Sequence, residues 1–565
     1  MNVQLINRMY LFALIAMVLS VYHVSSAADL DWTGGGDNTT FTDAANWGGT
    51  TPATGDDFSF WLNAPTTVNV DTPFEVGSLR VNYAYVISGN DLSLNPTGRW
   101  GSYDIYLNNG AEVQNNINLL GNAIFYTASQ SDTARPTLSG TISESGGVRA
   151  LTLSTGGNVN FDMVLSGNNS YTGGTTVNNI TLELGHNNSF GTGGVTINGG
   201  NLQVSADRVI ANAVEFNDLV YFGRYGDHDG TMRFTGDLSI GSAGTNLYEA
   251  DSDPTKRVEL AGTLNDNGNG FILTTTQKSE FKIESANAIS GDVTWVLNGS
   301  TRYGDASPGT IAVANDQAFG DATITLTPGT SGWNKVGVLV AEDNAVTLAN
   351  DIVLDAEDTT VLEMGAAGTR ITLTGQISTP GLFGSIELKQ NATLATRGTI
   401  GADLIVGTAG GGARLAHTGD IIGNVTVSGN DTLGPGLNTS GELDINGNLQ
   451  MQTDSIYEYD GGDLVNISGD ADFSNWTLNL DGTDLVLDGS SSILLFTYGT
   501  GAIGDPSQVN YSNFSTTPTG LTYTDDGSAF YVNGLAVIPE SSSYVLMIIG
   551  MTALFFLRKT TFGRK

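Results

Sequence analysis

The chain has 565 residues, of which 74 are glycine and none is cysteine. Its 22 basic and 58 acidic side chains give a formal net charge of −36. This composition excludes a disulfide framework, a thiolate nucleophile and cysteine-ligated metal, and the acidity argues against nucleic acid as a partner.

Residues 1–28 read as a secretory signal peptide. Arg8 is their only formally charged side chain, and Met9 to Val21 is an apolar run broken only by Ser20. Small residues follow, with Ala27 and Ala28 as the cleavage positions. An uncleaved anchor helix is the alternative, but the run is short against a span of about 20 residues.

Within residues 29–80, residues 31–61 read DWTGGGDNTTFTDAANWGGTTPATGDDFSFW, which carries Trp32, Trp47 and Trp61. Large aromatics can plug the open end of a stacked fold, so the first reading is a cap. Stacking against carbohydrate is the functional alternative.

Between residues 29 and 540 no long helical periodicity appears, and residues 81–424 read as the repeat region. Short runs rich in Val, Ile, Leu and Thr alternate with Gly, Asn, Asp and Ser, as half-buried strands separated by turns do. Leu138-Ser-Gly-Thr-Ile142 recurs as Leu260-Ala-Gly-Thr-Leu264 and Leu373-Thr-Gly-Gln-Ile377. A longer unit begins at Leu165, and a worn copy begins at Leu297. Gly167 and Tyr171 match Gly299 and Tyr303, while Phe190-Gly191 matches Phe319-Gly320. Fixed internal recurrence of this kind predicts a solenoid.

The stretch SGNNSYTGGTTV, the strand after it and NSFGTGGVTINGG resemble the autotransporter-associated β-strand repeat, also called the passenger-associated transport repeat. The resemblance implies an all-β fold, an elongated right-handed parallel β-helix. At roughly 20–25 residues per coil the body would hold about 20 coils. Residues 31–61 and 425–500 resemble the opening and the end of exported proteins of this type. Leu433-Gly-Pro-Gly436, Asn446-Gly-Asn448 and Leu494-Leu-Phe-Thr-Tyr498 carry the second match. The C-terminal coils and their cap are expected over 425–535.

Residues 536–565 hold a second apolar run, Tyr544 to Leu557, preceded by Pro539 and Glu540 and followed by Arg558, Lys559, Arg564 and Lys565. Proline and an acid suit a helix start, and bases suit its end. A single transmembrane helix with its basic tail in the cytoplasm is expected. Pro539-Glu540-Ser541, the helix and the tail resemble a PEP-CTERM sorting signal, with Ser541 where that signal has its second proline. The resemblance implies an exosortase-type processing enzyme as partner and an exopolysaccharide-rich setting. Without both ends, residues 29–540 hold 17 basic and 58 acidic residues, a net −41. A self-transporting autotransporter would instead end in a transmembrane barrel of many alternating strands.

The mature chain keeps His186, His228 and His417, scattered and without metal-ligand spacing; solvated loop histidines are expected. Asp251-Ser-Asp253 and Asn265-Asp-Asn-Gly-Asn-Gly270 offer oxygen ligands on tight turns. Structural calcium is an option there, but neither set completes an EF-hand, and ordinary Asx turns are the simpler reading. No cofactor and no catalytic residue is expected. The sequence reads as a non-enzymatic, exported structural or adhesive protein, held by its tail helix and then sorted to the cell surface or beyond. A carbohydrate-binding or polysaccharide-degrading β-helix is the alternative.

Overall fold

A computed structural model describes residues 27–537, apart from 130–133, 156–161, 224–228, 251–256, 277, 299–308, 330–334, 343–344, 356–359, 366–368, 381–383, 408–410, 438, 484 and 515–517. Among the described residues the chain is all-β, with one 3-10 turn at Ala44–Trp47. The strands build about 16 turns of a parallel β-solenoid, fewer than the 20 expected, because many turns are longer than 25 residues. Leu326 stacks on Trp295 from 31 residues away, and Leu153 on Phe125 from 28. None of the described helices is long and apolar enough to cross a membrane; the run Tyr544 to Leu557 lies outside the described residues. The chain divides into two units, Met1–Gln203 and Val204–Lys565.

In the first unit each full turn contributes three short strands to three parallel ladders. Ser78–Val81 stacks between Asp57–Phe60 and Ile105–Leu107. Val86–Gly89 stacks between Thr67–Val70 and Glu112–Val113. Leu92–Leu94 stacks between Phe74–Val76 and Ile117–Leu119. Alternate residues point inward, so Leu79, Val81, Ile87, Leu92 and Leu94 fill one layer and Ile105, Leu107, Val113, Ile117 and Leu119 the next. The later strand Thr175–Leu184 serves two ladders. It bends at Asn179, whose φ of 48° suits a left-handed residue that asparagine tolerates.

The first turn is closed by aromatics. The Trp32 and Trp47 rings meet edge-on at 4.9 Å, and Trp47 also packs on Phe41 and Phe58 at 5.4 and 5.0 Å. Trp47 Nε1 donates to the Phe41 carbonyl at 2.6 Å, so burial leaves no orphaned donor. Asp43 caps the 3-10 turn by accepting from Ala45 N, and Gly48 ends it at a φ of 66°.

In the second unit a ladder of 18 strands starts at Arg208–Ile210, and one of eight runs from Val346–Leu348 to Gln508–Ser512. Pairing is parallel until Leu485–Ala502, which stacks on Leu464–Phe473 but meets Ala529–Val537 in antiparallel register. Ala529–Val537 then pairs antiparallel with Thr522–Asp525.

The recurring pentapeptide is a corner between two ladders. Leu138 and Ile142 point inward on adjacent faces, and Gly140 sits between them. A Cβ on Gly140 would lie 2.0 Å from the Asn115 carbonyl oxygen of the turn below, and one on Gly262 1.7 Å from that of Gly236. The motif therefore needs glycine for close backbone approach.

Candidate ligand groove on the outer wall

The residues singled out from sequence scatter over the molecule. Ala27 and Ala28 are exposed; the Ala28 N–H donates to Asp56 Oδ1 at 2.8 Å and the Ala28 carbonyl accepts from Asp57 N at 2.9 Å. Pro539, Glu540, Arg558 and Lys559 lie outside the described residues, as do His228, Tyr303 and Asp251-Ser-Asp253. Trp32 and Trp47 belong to the buried cap, as expected. Trp61 does not: it is 45% exposed and packs beneath the Arg80 guanidinium.

His417 corrects the expectation of solvated histidines. It is fully buried, with Nδ1 2.9 Å from Thr396 Oγ1 and Nε2 3.2 Å from the Gly398 carbonyl. Burial pushes its imidazole below the usual range, so it is a neutral group holding two turns together. His186 is half-buried, and its Nδ1 accepts from Asn188 N at 3.0 Å.

The Asn265–Gly270 turn is organised around Asp266. Its carboxylate accepts from the backbone N–H groups of Gly268, Gly270, Ser290 and Gly291 at 2.7 to 3.1 Å. Burial opposes its charge, yet these four donors hold the carboxyl below its ordinary value. The oxygens thus serve the Asx turn.

The densest charge cluster is a ladder of ion pairs. Arg233, Glu259 and Lys282 occupy one register column on successive strands. Arg233 grips Glu284 through two hydrogen bonds of 2.5 and 2.6 Å, which hold the Glu284 carboxyl below its usual range. Arg257 reaches Glu259, Glu280 and Glu342 at 2.7 to 3.0 Å. Here acids meet bases, which leaves no carboxyl poised as a general acid. Burial does raise the carboxyls of Asp104, Asp431 and Asp463, but each accepts backbone N–H bonds at a corner of the wall.

One surface feature has the form of a binding site. Strands Val214–Phe222, Asn246–Glu249, Phe271–Thr275, Val293–Leu297 and Ile324–Pro328 stack in the second unit. Their inward residues include Val220, Leu247, Leu273 and Trp295, all buried. Their outward residues form two register columns: Leu219, Asn246, Ile272 and Thr294, and beside them Tyr221, Tyr248, Thr274 and Val296. All of these but Thr294 line, with Asn298, Pro328 and Gly329, an open depression of about 340 Å³. A second depression of about 520 Å³, formed around Gly268 to Ile272 and Ser290 to Asp292, shares Ile272 with it.

The Tyr221 and Tyr248 rings meet edge to face at 5.0 Å. Asn298 Nδ2 donates to the Tyr248 hydroxyl at 2.6 Å, and Thr274 Oγ1 donates to Asn246 Oδ1 at 2.9 Å. Among the described residues that line the first depression, none is Asp, Glu, Lys, Arg or His. Sequence reading passed over Tyr221 and Tyr248. The available signal was a tyrosine at the outward position of LVYF and again of NLYE, although only the register shows that the two are neighbours.

No family model, curated protein or solved structure matches the chain.

Proposed function

We propose that the chain is an exported, non-enzymatic structural or adhesive protein of the cell surface or extracellular matrix, its body an elongated right-handed β-helix. In this reading the signal peptide is removed at Ala27 or Ala28. The C-terminal helix anchors the chain in the membrane until an exosortase-type enzyme acts at Pro539-Glu540, with Arg558 and Lys559 fixing orientation. The observation that carries the adhesive part is the uncharged, aromatic-edged depression along stacked turns of the wall. Polysaccharide cleavage would need an acid and a base or nucleophile flanking the bond, and the described residues that line that depression offer neither.

Cell fractionation tests the reading. Deleting residues 539–565 should release a folded protein from the membrane fraction, and the purified wild type should generate no reducing ends from polysaccharide. A deletion variant that stays membrane-bound, or turnover of a glycan, overturns it.

A further inference from the structure

We infer that the depression edged by Tyr221 and Tyr248 is a binding groove for a neutral polysaccharide strand lying across the stacked turns. This rests on the adhesive reading and names the partner by its chemistry.

The argument begins with the lining. A pyranose ring has apolar C–H faces and a rim of hydroxyls, so it needs ring or aliphatic surface below and amide or hydroxyl groups at the side. The wall supplies both: Tyr221, Tyr248, Ile272 and Val296 below, Asn246 and Asn298 beside them. The amides are positioned by the bonds already described, Asn298 to Tyr248 and Thr274 to Asn246.

Charge decides which glycan. The chain carries a net −36, yet the described residues that line the groove, being Leu, Ile, Val, Pro, Gly, Asn, Thr and Tyr, include none that is charged at neutral pH. A polyanion would meet the repulsion of the whole body and find no counter-charge in the groove. A polycation would find its partners on the acidic surface elsewhere. A neutral chain has neither difficulty, and the net negative charge of the chain disfavours anionic competitors.

Form decides between a polymer and a small molecule. Sites for small ligands enclose most of the ligand, whereas this depression is open and crosses five strands. At about 4.8 Å per strand step it extends for roughly 19 Å, room for several sugar rings in a row. A peptide added as an extra strand is disfavoured, because these strands are hydrogen-bonded on both sides by their own ladder neighbours.

The test is affinity electrophoresis of the mature protein through gels containing soluble neutral polysaccharides, a β-glucan and a mannan, or the acidic polygalacturonate. Wild type should be retarded by at least one neutral polymer and not by polygalacturonate. Tyr221→Ala and Tyr248→Ala should each weaken retardation about tenfold, as loss of an aromatic anchor does. Tyr248→Phe should keep most of it, and Val296→Glu should abolish it. Circular dichroism and melting temperature of each variant exclude unfolding as the cause. Retardation by polygalacturonate alone, or retardation untouched by all four substitutions, overturns the groove. If no glycan retards the protein while it still mediates attachment of cells, the groove proposal falls and the adhesive reading stands. If attachment is lost as well, both fall.

Discussion

The guanidinium carbon of Arg80 lies 3.8 Å from the centre of the Trp61 ring and 4.7 Å from that of the Tyr106 ring. Beyond Tyr106 the Tyr126 ring follows at 5.3 Å, and Tyr103 stacks on Tyr126 at 3.9 Å. Arg80, Tyr106 and Tyr126 share one register column on successive turns, so the pile follows from the stacking of the strands. A planar guanidinium over aromatic rings gains what a compact ammonium cannot. Arg80→Lys should therefore cost about 1 kcal/mol, and Trp61→Ala a similar amount, read as a shift of the urea midpoint. An Arg80→Lys variant as stable as wild type would show that the rings contribute little.

The corner glycines divide into crowded and open ones. Gly262 would place a Cβ 1.7 Å from a backbone carbonyl oxygen, whereas Gly504 has nothing within 4 Å. Neither residue has a positive φ, so the comparison isolates space from backbone strain. Gly262→Ala should destabilise by at least about 1–3 kcal/mol, the range for overpacking a site that cannot yield. Gly504→Ala should stay within about 0.5 kcal/mol of wild type. Equal unfolding midpoints for the two would contradict the close approach of the turns.

Asp463 gives the stability a pH dependence of known sign. It is 1% exposed, and burial pushes its carboxyl up to about 8 although the Gly441 and Asp460 N–H groups donate to it at 2.7 and 2.8 Å. A raised value in the folded state means that the neutral acid is the form that folding favours. Its contribution is complete below about 4, the unfolded value, and is lost as the pH rises through 8, with a slope of at most about 1.4 kcal/mol per pH unit. Asp463→Asn should flatten stability across pH 4–8 relative to wild type, even though its amide loses the bond from Asp460 N. Parallel curves for the two proteins in chemical denaturation would refute this.

In the proposed reading of residues 1–28 as a signal peptide, the bonds of Ala28 distinguish the two cleavage positions. Cleavage after Ala27 leaves the Ala28 nitrogen as a charged amine beside Asp56 Oδ1, already 2.8 Å away, and keeps the Ala28 carbonyl on Asp57 N. Cleavage after Ala28 removes both bonds. A charge-assisted bond is stronger than the neutral one it replaces, so the mature chain should begin at Ala28. Intact-mass measurement distinguishes this from a chain that begins at Asp29.

How far the sequence could be read follows from which signals are local. Alternation within strands is local, and Glu442–Ile445, Leu151–Thr155 and Val195–Val204 are strands as their patterns predict. The equivalence of Phe190-Gly191 and Phe319-Gly320 also holds locally. Both phenylalanines are buried, and each following glycine has a positive φ and donates to the carbonyl three residues back. The other half of that longer match falls on Tyr303, outside the described residues; the residue below Gly320 is Ile289. Stacking is not local. Leu404 sits on Ile386 after 18 residues, and Leu326 on Trp295 after 31, so no fixed period assigns neighbours between turns. Tyr221 and Tyr248 therefore read as unrelated surface residues, and His417 as a loop histidine.

The antiparallel pairing of Ala529–Val537 with Leu485–Ala502 has a consequence for growth. A parallel ladder that ends bare is a mould on which another copy can lay its own first strand, and copies added in this way make a fibre. The final strands here reverse the direction of the chain and cover the end of the 18-strand ladder with one of opposite polarity, while the eight-strand ladder ends on the parallel strand Gln508–Ser512. A second copy arriving at that edge finds hydrogen-bonding groups spaced for the wrong orientation. Among the described residues, the 18-strand ladder thus ends on strands whose polarity a parallel copy does not match.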